Sequence, residues 1–284
     1  MQRNFERCLV VRNYGHIGDL LMSTPALKEL SKRYLVDIVI PKQYSDVFYN
    51  LNFIQNIFFE EPDHKDYARV FDLSDYEFNY EQIYQPEIYK TKQELFAEAL
   101  GVKINSSKPL INLTPEEIRW IKSYLKGVSK KILVLAPKSS NPTRDWPLEK
   151  WIELIGRIKR LNYQIVIVDK SLRWEDPDII FFNNRSLRQV FSLVYLSDFV
   201  VSNDSGLLHI AAAFDKPCLG IFGPTDPKMR AIYSKSYAVQ LNIPCAPCWY
   251  ARCDHLTCLN SLSVDVVENK LLEMIQNEIG TGII

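Results

Sequence analysis

Short apolar runs and helical stretches alternate along this chain, and they do so in two blocks. Cys8-Leu9-Val10-Val11 is a continuous apolar run that ends in a glycine-containing loop, the pattern of a strand buried on both faces of a parallel sheet. Helical spacing follows, with Leu20, Leu21, Ala26, Leu27 and Leu30 on one side. Pro25 interrupts it, so the spacing predicts a helix that starts near Thr24, with Thr24 as N-cap and Pro25 in the first position. Strands are expected at residues 36–40 and 70–73, and a helix at 92–100 closed by Gly101. Thr114-Pro115-Glu116-Glu117 then opens a helix that ends near Gly127. The alternation restarts: strand 132–135, a helix from Trp146-Pro147 to Arg160, strand 165–168, helix 187–196, strand 199–201, helix 206–214, strand 218–222, and a closing helix at 264–276. Such alternation builds parallel α/β sheets with right-handed crossovers. The reading is two Rossmann-like domains facing one another, joined around residues 104–114.

Composition agrees. The 284 residues, 47% of them hydrophobic, are enough for two domains of about 100–200 residues each. Lys plus Arg and Asp plus Glu are 34 each, so no positive excess suits general nucleic-acid binding. No run of about 18 apolar residues predicts a transmembrane helix. The apolar run at residues 8–11 falls short of the roughly 7–15 residues of a signal-peptide core. The expected compartment is the cytoplasm, including the inner membrane face. There the six cysteines should be thiols or metal ligands.

In parallel α/β sheets ligands bind beyond the carboxyl ends of strands, so four post-strand loops matter most. The first is Arg12-Asn13-Tyr14-Gly15-His16-Ile17-Gly18-Asp19. Gly15 and Gly18 let backbone approach a ligand, but neither a dinucleotide fingerprint nor a Walker loop is present. Asp19 is open to two readings: a helix cap, or a carboxylate serving as general base. His16 alone reads as a loop histidine. The second loop, residues 136–147, carries Lys138, Ser139, Ser140, Thr143 and Arg144, hydroxyls and cations that suit phosphate oxygens. The third, Ser202-Asn203-Asp204-Ser205-Gly206-Leu207-Leu208-His209, puts small polar residues at a helix N-terminus, where free N–H groups attract anions. Simple capping by Asp204 or Ser205 is the competing reading. The fourth is Phe222-Gly223-Pro224-Thr225-Asp226-Pro227.

In this order the set resembles glycosyltransferase family 9, the heptosyltransferase-like enzymes of lipopolysaccharide biosynthesis. The matching pieces are residues 18–27, Trp146-Pro147, residues 203–209 with Ala211-Ala212-Ala213, and residues 222–227; residues 43–112 match no family motif. The resemblance implies a GT-B fold, with an acceptor-side domain at 1–112 and a nucleotide-sugar domain at 113–284. It implies inverting transfer with no cofactor for catalysis. Asp19 falls on the family's catalytic base, with Gly15, His16 and Gly18 in the acceptor-side loop. Ser139, Ser140 and Arg144 fall on phosphate contacts, Asp204 on a sugar-contacting acid, and Ser205 and Gly206 on the pyrophosphate-binding helix start. His209 matches the motif's histidine. The implied donor is ADP-heptose and the acceptor a glycan, glycolipid or protein. The chain is short for the family, which puts the usual lipopolysaccharide acceptor in question, and Ser205 stands where threonine is common.

Asp176-Pro177-Asp178 has the form of a metal-binding GT-A string but lacks the preceding apolar strand. Cys245, Cys248, Cys253 and Cys258 cluster near the C-terminus, a donor set suited to a structural Zn or Fe ion or to simple packing. Trp249, Tyr250 and Arg252 within the cluster are candidates for a sugar-binding edge. Cys8 and Cys218 read as core residues. The competing functions are a nucleotide-sugar epimerase or hydrolase of the same fold, and a non-catalytic nucleotide-sugar-binding protein.

Overall fold

The computed structural model describes residues 5–280 except 14, 85–86, 171, 231–232 and 250–251. Tyr14 of the first loop and Tyr250 of the cysteine cluster therefore lie outside the described residues. The chain divides into two compact units, residues 1–112 and 113–284.

The first unit contains β1 (Arg7–Val11), α1 (Ile17–Leu30), β2 (Leu35–Val39), β3 (Ile54–Phe58), β4 (Arg69–Asp72), α2 (Tyr76–Tyr84) and α3 (Lys92–Ala99). Its sheet has the order β3-β2-β1-β4, and every pairing is parallel. The second unit contains α4 (Pro115–Tyr124), β5 (Ile132–Ala136), α5 (Leu148–Ile158), β6 (Gln164–Ile167), β7 (Ile179–Phe181), α6 (Leu187–Leu196), β8 (Phe199–Asn203), α7 (Gly206–Ala213), β9 (Cys218–Phe222), α8 (Pro227–Arg230), β10 (Ser236–Gln240), α9 (Thr257–Asn260) and α10 (Val264–Gly280). Its sheet, also all parallel, has the order β10-β9-β8-β5-β6-β7.

The central strands β5, β8 and β9 are buried at every position, which is why their sequences are unbroken apolar runs. β3 and β10 are edge strands with largely accessible residues, and their sequences carry no such run. Packed on the second sheet, α5 buries Trp151, Leu154, Ile155 and Ile158 in one core cluster with Val267, Leu271 and Met274 of α10. Burial of each large side chain stabilises by roughly 1.5–3 kcal/mol. Trp146 meets Trp151 edge to face at 5.6 Å, and its indole N–H donates to the Leu262 carbonyl at 3.0 Å. Cys8 and Cys218 are buried, and burial first of all pushes their thiols up to about 12 and about 11.

The start of α1 corrects the sequence expectation. The helix begins at Ile17 and continues through Pro25 to Leu30. A proline at position 25 cannot donate to the Leu21 carbonyl one turn earlier. The Thr24 hydroxyl donates to that carbonyl instead, at 2.7 Å. The threonine that looks like a cap repairs the helix from within. Among the described residues no helix is long and apolar enough to cross a membrane.

Candidate functional site

In the first unit, β1 delivers the fully buried Arg12 to the mouth of the first loop. Its Nη1 donates to the Leu73 carbonyl at 2.7 Å and the Ser74 carbonyl at 3.1 Å, and its Nη2 donates to the Glu77 carboxylate. Burial pushes the Glu77 carboxyl above the usual range, against the pull of Arg12 and Lys92. Gly15 adopts φ +113°, and a Cβ there would lie 2.9 Å from Arg12 Nη2 and 3.2 Å from Asp19 Cβ. Only glycine lets the loop close over these two residues.

Asp19 sits in the first turn of α1. Its Oδ2 accepts the His16 backbone N–H at 2.9 Å, so the capping reading is realised. Its Oδ1 accepts from Lys92 Nζ at 2.6 Å, and the two side chains are only 13% and 6% exposed. Lys92 also lies 3.4 Å from Glu81 Oε1. Gly18 is buried in the same turn, and His16 Nδ1 is 3.4 Å from the Tyr44 hydroxyl. The sequence brought Gly15, His16, Gly18 and Asp19 to notice but not Arg12, Glu77, Glu81 or Lys92. Charged residues become recognisable as site residues only once the fold shows that they are buried together.

In the second unit, neighbouring strands β5 and β8 end side by side, Ala136 opposite Ser202. Buried Asn203 pins both ends of the loop at 137–147, donating to the Pro137 carbonyl at 2.7 Å and accepting the Trp146 N–H at 3.3 Å. Asp204, 2% exposed, accepts from the Thr225 hydroxyl at 2.8 Å and lies 3.4 Å from Arg144 Nη1. Burial works to raise its carboxyl, but Arg230, Arg144 and the Thr225 hydroxyl outweigh burial and hold it below the usual range. Arg144 Nη2 donates to the Ser140 hydroxyl at 3.2 Å. Ser139 turns inward: its hydroxyl donates to the Asn141 carbonyl at 2.6 Å and its N–H to Asp145 at 2.7 Å. Ser205 caps α7 by accepting the Leu207 N–H at 3.2 Å, and Gly206 opens that helix. His209 is buried in the helix, with Nδ1 2.8 Å from the Tyr233 hydroxyl.

Asp204, Arg144 and Ser140 thus form one chain of contacts beside the start of α7. A guanidinium held by a buried carboxylate, next to a helix start, is chemistry for anionic oxygens. Asn203, Thr225 and Arg230 join the site although the sequence reading gave them no role. Asp176 and Asp178 instead face Lys159, at 2.6 and 3.6 Å.

The cysteine loop is tied to the turn after β9. The backbone N–H groups of Cys248 and Trp249 both donate to the Pro224 carbonyl, at 2.9 and 2.8 Å. Cys258 is buried while Cys245 is exposed. Burial, then the neighbouring Cys248, raises the Cys258 thiol, with Cys245 and Cys253 adding to the effect. The four thiols share one neighbourhood, yet among the described residues no three His, Cys, Asp or Glu side chains converge on a metal-binding centre. A Zn or Fe expectation therefore rests on the donor set and not on ligand geometry.

A family model described as glycosyltransferase family 9 (heptosyltransferase) matches residues 65–258. That range takes in Ser140, Arg144, Asp204 and Ser205 of the second unit and begins after Asp19. Lipopolysaccharide heptosyltransferase 1 of Salmonella typhimurium is 27% identical over 166 residues, covering 54% of this chain and 50% of that protein. The protein of the same name from Escherichia coli K12 is 28% identical over 169 residues, covering 55% and 50%. The matches thus span about half the length of these curated relatives. Among solved structures, E. coli ADP-heptose LPS heptosyltransferase II superposes with a TM-score of 0.73 at 16% identity, covering 96% of this chain and 99% of that one. TibC of enterotoxigenic E. coli, described as an iron-containing dodecameric glycosyltransferase, gives 0.77 at 16% identity, covering 96% and 80%. These likenesses show a shared fold of the GT-B class. With the family model matching well over half of its length, the chain belongs to glycosyltransferase family 9.

Proposed function

We propose that this chain transfers a heptosyl group from ADP-heptose to an acceptor hydroxyl, with inversion at the anomeric carbon. The contact chain from Asp204 through Arg144 to Ser140, beside the start of α7, carries this reading. In it Arg144, Ser140, Ser205 and the Gly206 N–H hold the diphosphate. Asp204 orients Arg144 and Thr225 and meets the sugar, His209 supports the helix start, and Ser139 shapes the loop. Asp19 takes the acceptor's proton. The freed oxygen bonds to the anomeric carbon while the bond from that carbon to the ADP oxygen breaks, and ADP leaves with the electron pair. Arg144 and the positive end of α7 stabilise the charge that develops on the departing phosphate. The acceptor class is a glycan, glycolipid or protein, with a lipopolysaccharide precursor favoured by the names of the relatives. Work on such a precursor belongs in the cytoplasm or at the inner membrane face. The cysteine loop is read as a structural metal site with no part in the chemistry.

The test is ADP release from ADP-heptose in the presence of a heptose-free lipopolysaccharide precursor. Asp19→Asn keeps the shape and removes the proton acceptor, so turnover should fall by roughly 10²–10⁴-fold with ADP affinity unchanged. Near-full turnover in the Asn variant would remove Asp19 from the role of base. ADP binding without turnover by the wild type would leave a nucleotide-sugar-binding protein.

A further inference from the structure

Lys92 occupies a place that local physics disfavours twice over. It is the first residue of α3, where the positive end of the helix repels a cation. It is also 5% exposed, so its ammonium has given up most of its water. What offsets both costs lies on two other elements: Asp19 Oδ1 at 2.6 Å on α1 and Glu81 Oε1 at 3.4 Å on α2. An ammonium suspended between two carboxylates can follow charge from one to the other. We propose that Lys92 is a positioning residue that sets the proton affinity and orientation of Asp19, and that Glu81 moderates its hold.

The inference rests on the reading of Asp19 as the base. Among the described residues, the titratable groups around Asp19 include His16 at the start of its own helix, Tyr44 beyond His16, Arg12 at the end of β1, Glu77 and Glu81 on α2, and Lys92 on α3. Among these described groups the carboxylates of Asp19, Glu77 and Glu81 face two cations, Arg12 and Lys92, a formal excess of one negative charge. When Asp19 takes the acceptor's proton the cluster becomes neutral. Lys92 then loses its anionic partner on α1 and keeps the one on α2. In this arrangement Lys92 holds Asp19 ionised and aimed before transfer. Glu81, by sharing the ammonium, keeps Asp19 basic enough to accept the proton.

The two neighbours therefore act on Asp19 with opposite sign, which a packing role does not reproduce. An opposite charge within about 4–6 Å lowers a carboxyl by about 1–3 pH units. Lys92→Met should move the Asp19 midpoint upward by that amount. Glu81→Gln, which removes the competing carboxylate 3.4 Å from Lys92, should move it downward. The measurement is a ¹³C-carboxyl NMR titration of the full chain, with the Asp19 resonance assigned by its loss in Asp19→Asn. The acid limb of ADP release from ADP-heptose should shift in the same directions, and Lys92→Arg should bring the midpoint back toward wild type. Midpoints that stay put in both variants, or move the same way, overturn the proposal. If Lys92→Met fails to fold, Glu81→Gln decides alone: a downward shift supports the proposal, and no shift or an upward one overturns it. Asp19→Asn separates this from the reading beneath it. A fully active Asn variant with shifted midpoints would sink the base assignment and leave the electrostatic tie standing.

Discussion

Replacing Thr24 with valine removes one hydroxyl and keeps the side chain's shape. Thr24 is fully buried, and its Oγ1 donates to the Leu21 carbonyl at 2.7 Å while accepting the Leu110 N–H at 2.8 Å. Pro25 cannot serve that carbonyl, so the valine takes this partner from one buried carbonyl, that of Leu21, and from the part-buried Leu110 N–H. At about 1–3 kcal/mol for the buried carbonyl and about 0.5–1.5 kcal/mol for the part-buried N–H, the loss is about 1.5–4.5 kcal/mol. Ser23→Ala is the matched control. Its hydroxyl also donates to a carbonyl at 2.7 Å, that of Leu20, but the helix offers Leu20 the Thr24 N–H as well. That substitution should cost about 1 kcal/mol. Adding Pro25→Ala to the valine variant supplies an N–H to Leu21 and should recover about 1–2 kcal/mol. Urea unfolding measures all four proteins. All five tryptophans lie beyond residue 112, so tryptophan fluorescence follows the second unit while far-UV circular dichroism follows both. The valine loss should appear in the dichroism transition. Equal costs for the valine and alanine variants, or no relief from Pro25→Ala, would refute this account of α1.

Arg144→Ala should weaken ADP binding by about 1.5–3 kcal/mol and Ser205→Ala by about 0.5–1.5 kcal/mol in calorimetry; unchanged affinity in both would place the nucleotide elsewhere. Glu117 of α4 accepts from Arg188 Nε and Nη2 of α6 at 2.6 Å each. Burial opposes its charge, but Arg188 and the Thr114 N–H prevail and hold the carboxyl below its usual range. A depressed carboxyl stabilises above its ordinary value and loses that contribution as pH falls through the folded one. Glu117→Gln should therefore cost about 1.5–3 kcal/mol near neutral pH, with the difference from wild type closing below about pH 4.5; a pH-independent difference would show that the charge is not the source. If the cysteine loop holds a metal, elemental analysis should find about one Zn or Fe per chain, and a chelator should lower the melting temperature. Metal-free protein with four free thiols and an unmoved melting temperature would leave packing as what holds the loop.

What could be read without coordinates follows burial. β1, β5, β8 and β9 stand out because a strand buried on both faces has no polar alternation to hide behind. β3, β10 and α2 sit where solvent reaches them, and their mixed sequences carry no period strong enough to distinguish them from loops. At α1 a local signal misled, since Thr-Pro is a good helix start until a hydroxyl replaces the missing N–H. Asp204, Arg144, Ser140 and Ser205, which the structure brings to one place beside the start of α7, could be singled out because strand ends and a helix start mark them by position. Lys92, Glu77 and Glu81 could not be, because their meaning arises only when two separate elements, α2 and α3, meet Asp19 on α1.

The turn after β9 has consequences for anyone wishing to redesign this protein. Thr225 grips Asp204, Pro224 receives two N–H groups from the cysteine loop, and Gln240 donates to the carbonyls of Gly223 and Thr225 at 2.9 and 2.8 Å. A Cβ on Gly223 would lie 2.7 Å from Leu259 and 3.1 Å from the Cys258 sulfur. Three consecutive residues thus answer to two unrelated demands, and mutational freedom at each is limited by the stricter one. A library that randomises residues 223–225 to change nucleotide preference will also sample damage to the cysteine loop. The route that spares the cysteine loop is to hold this turn constant and vary Ser140 and Arg144, whose side chains meet each other and Asp204.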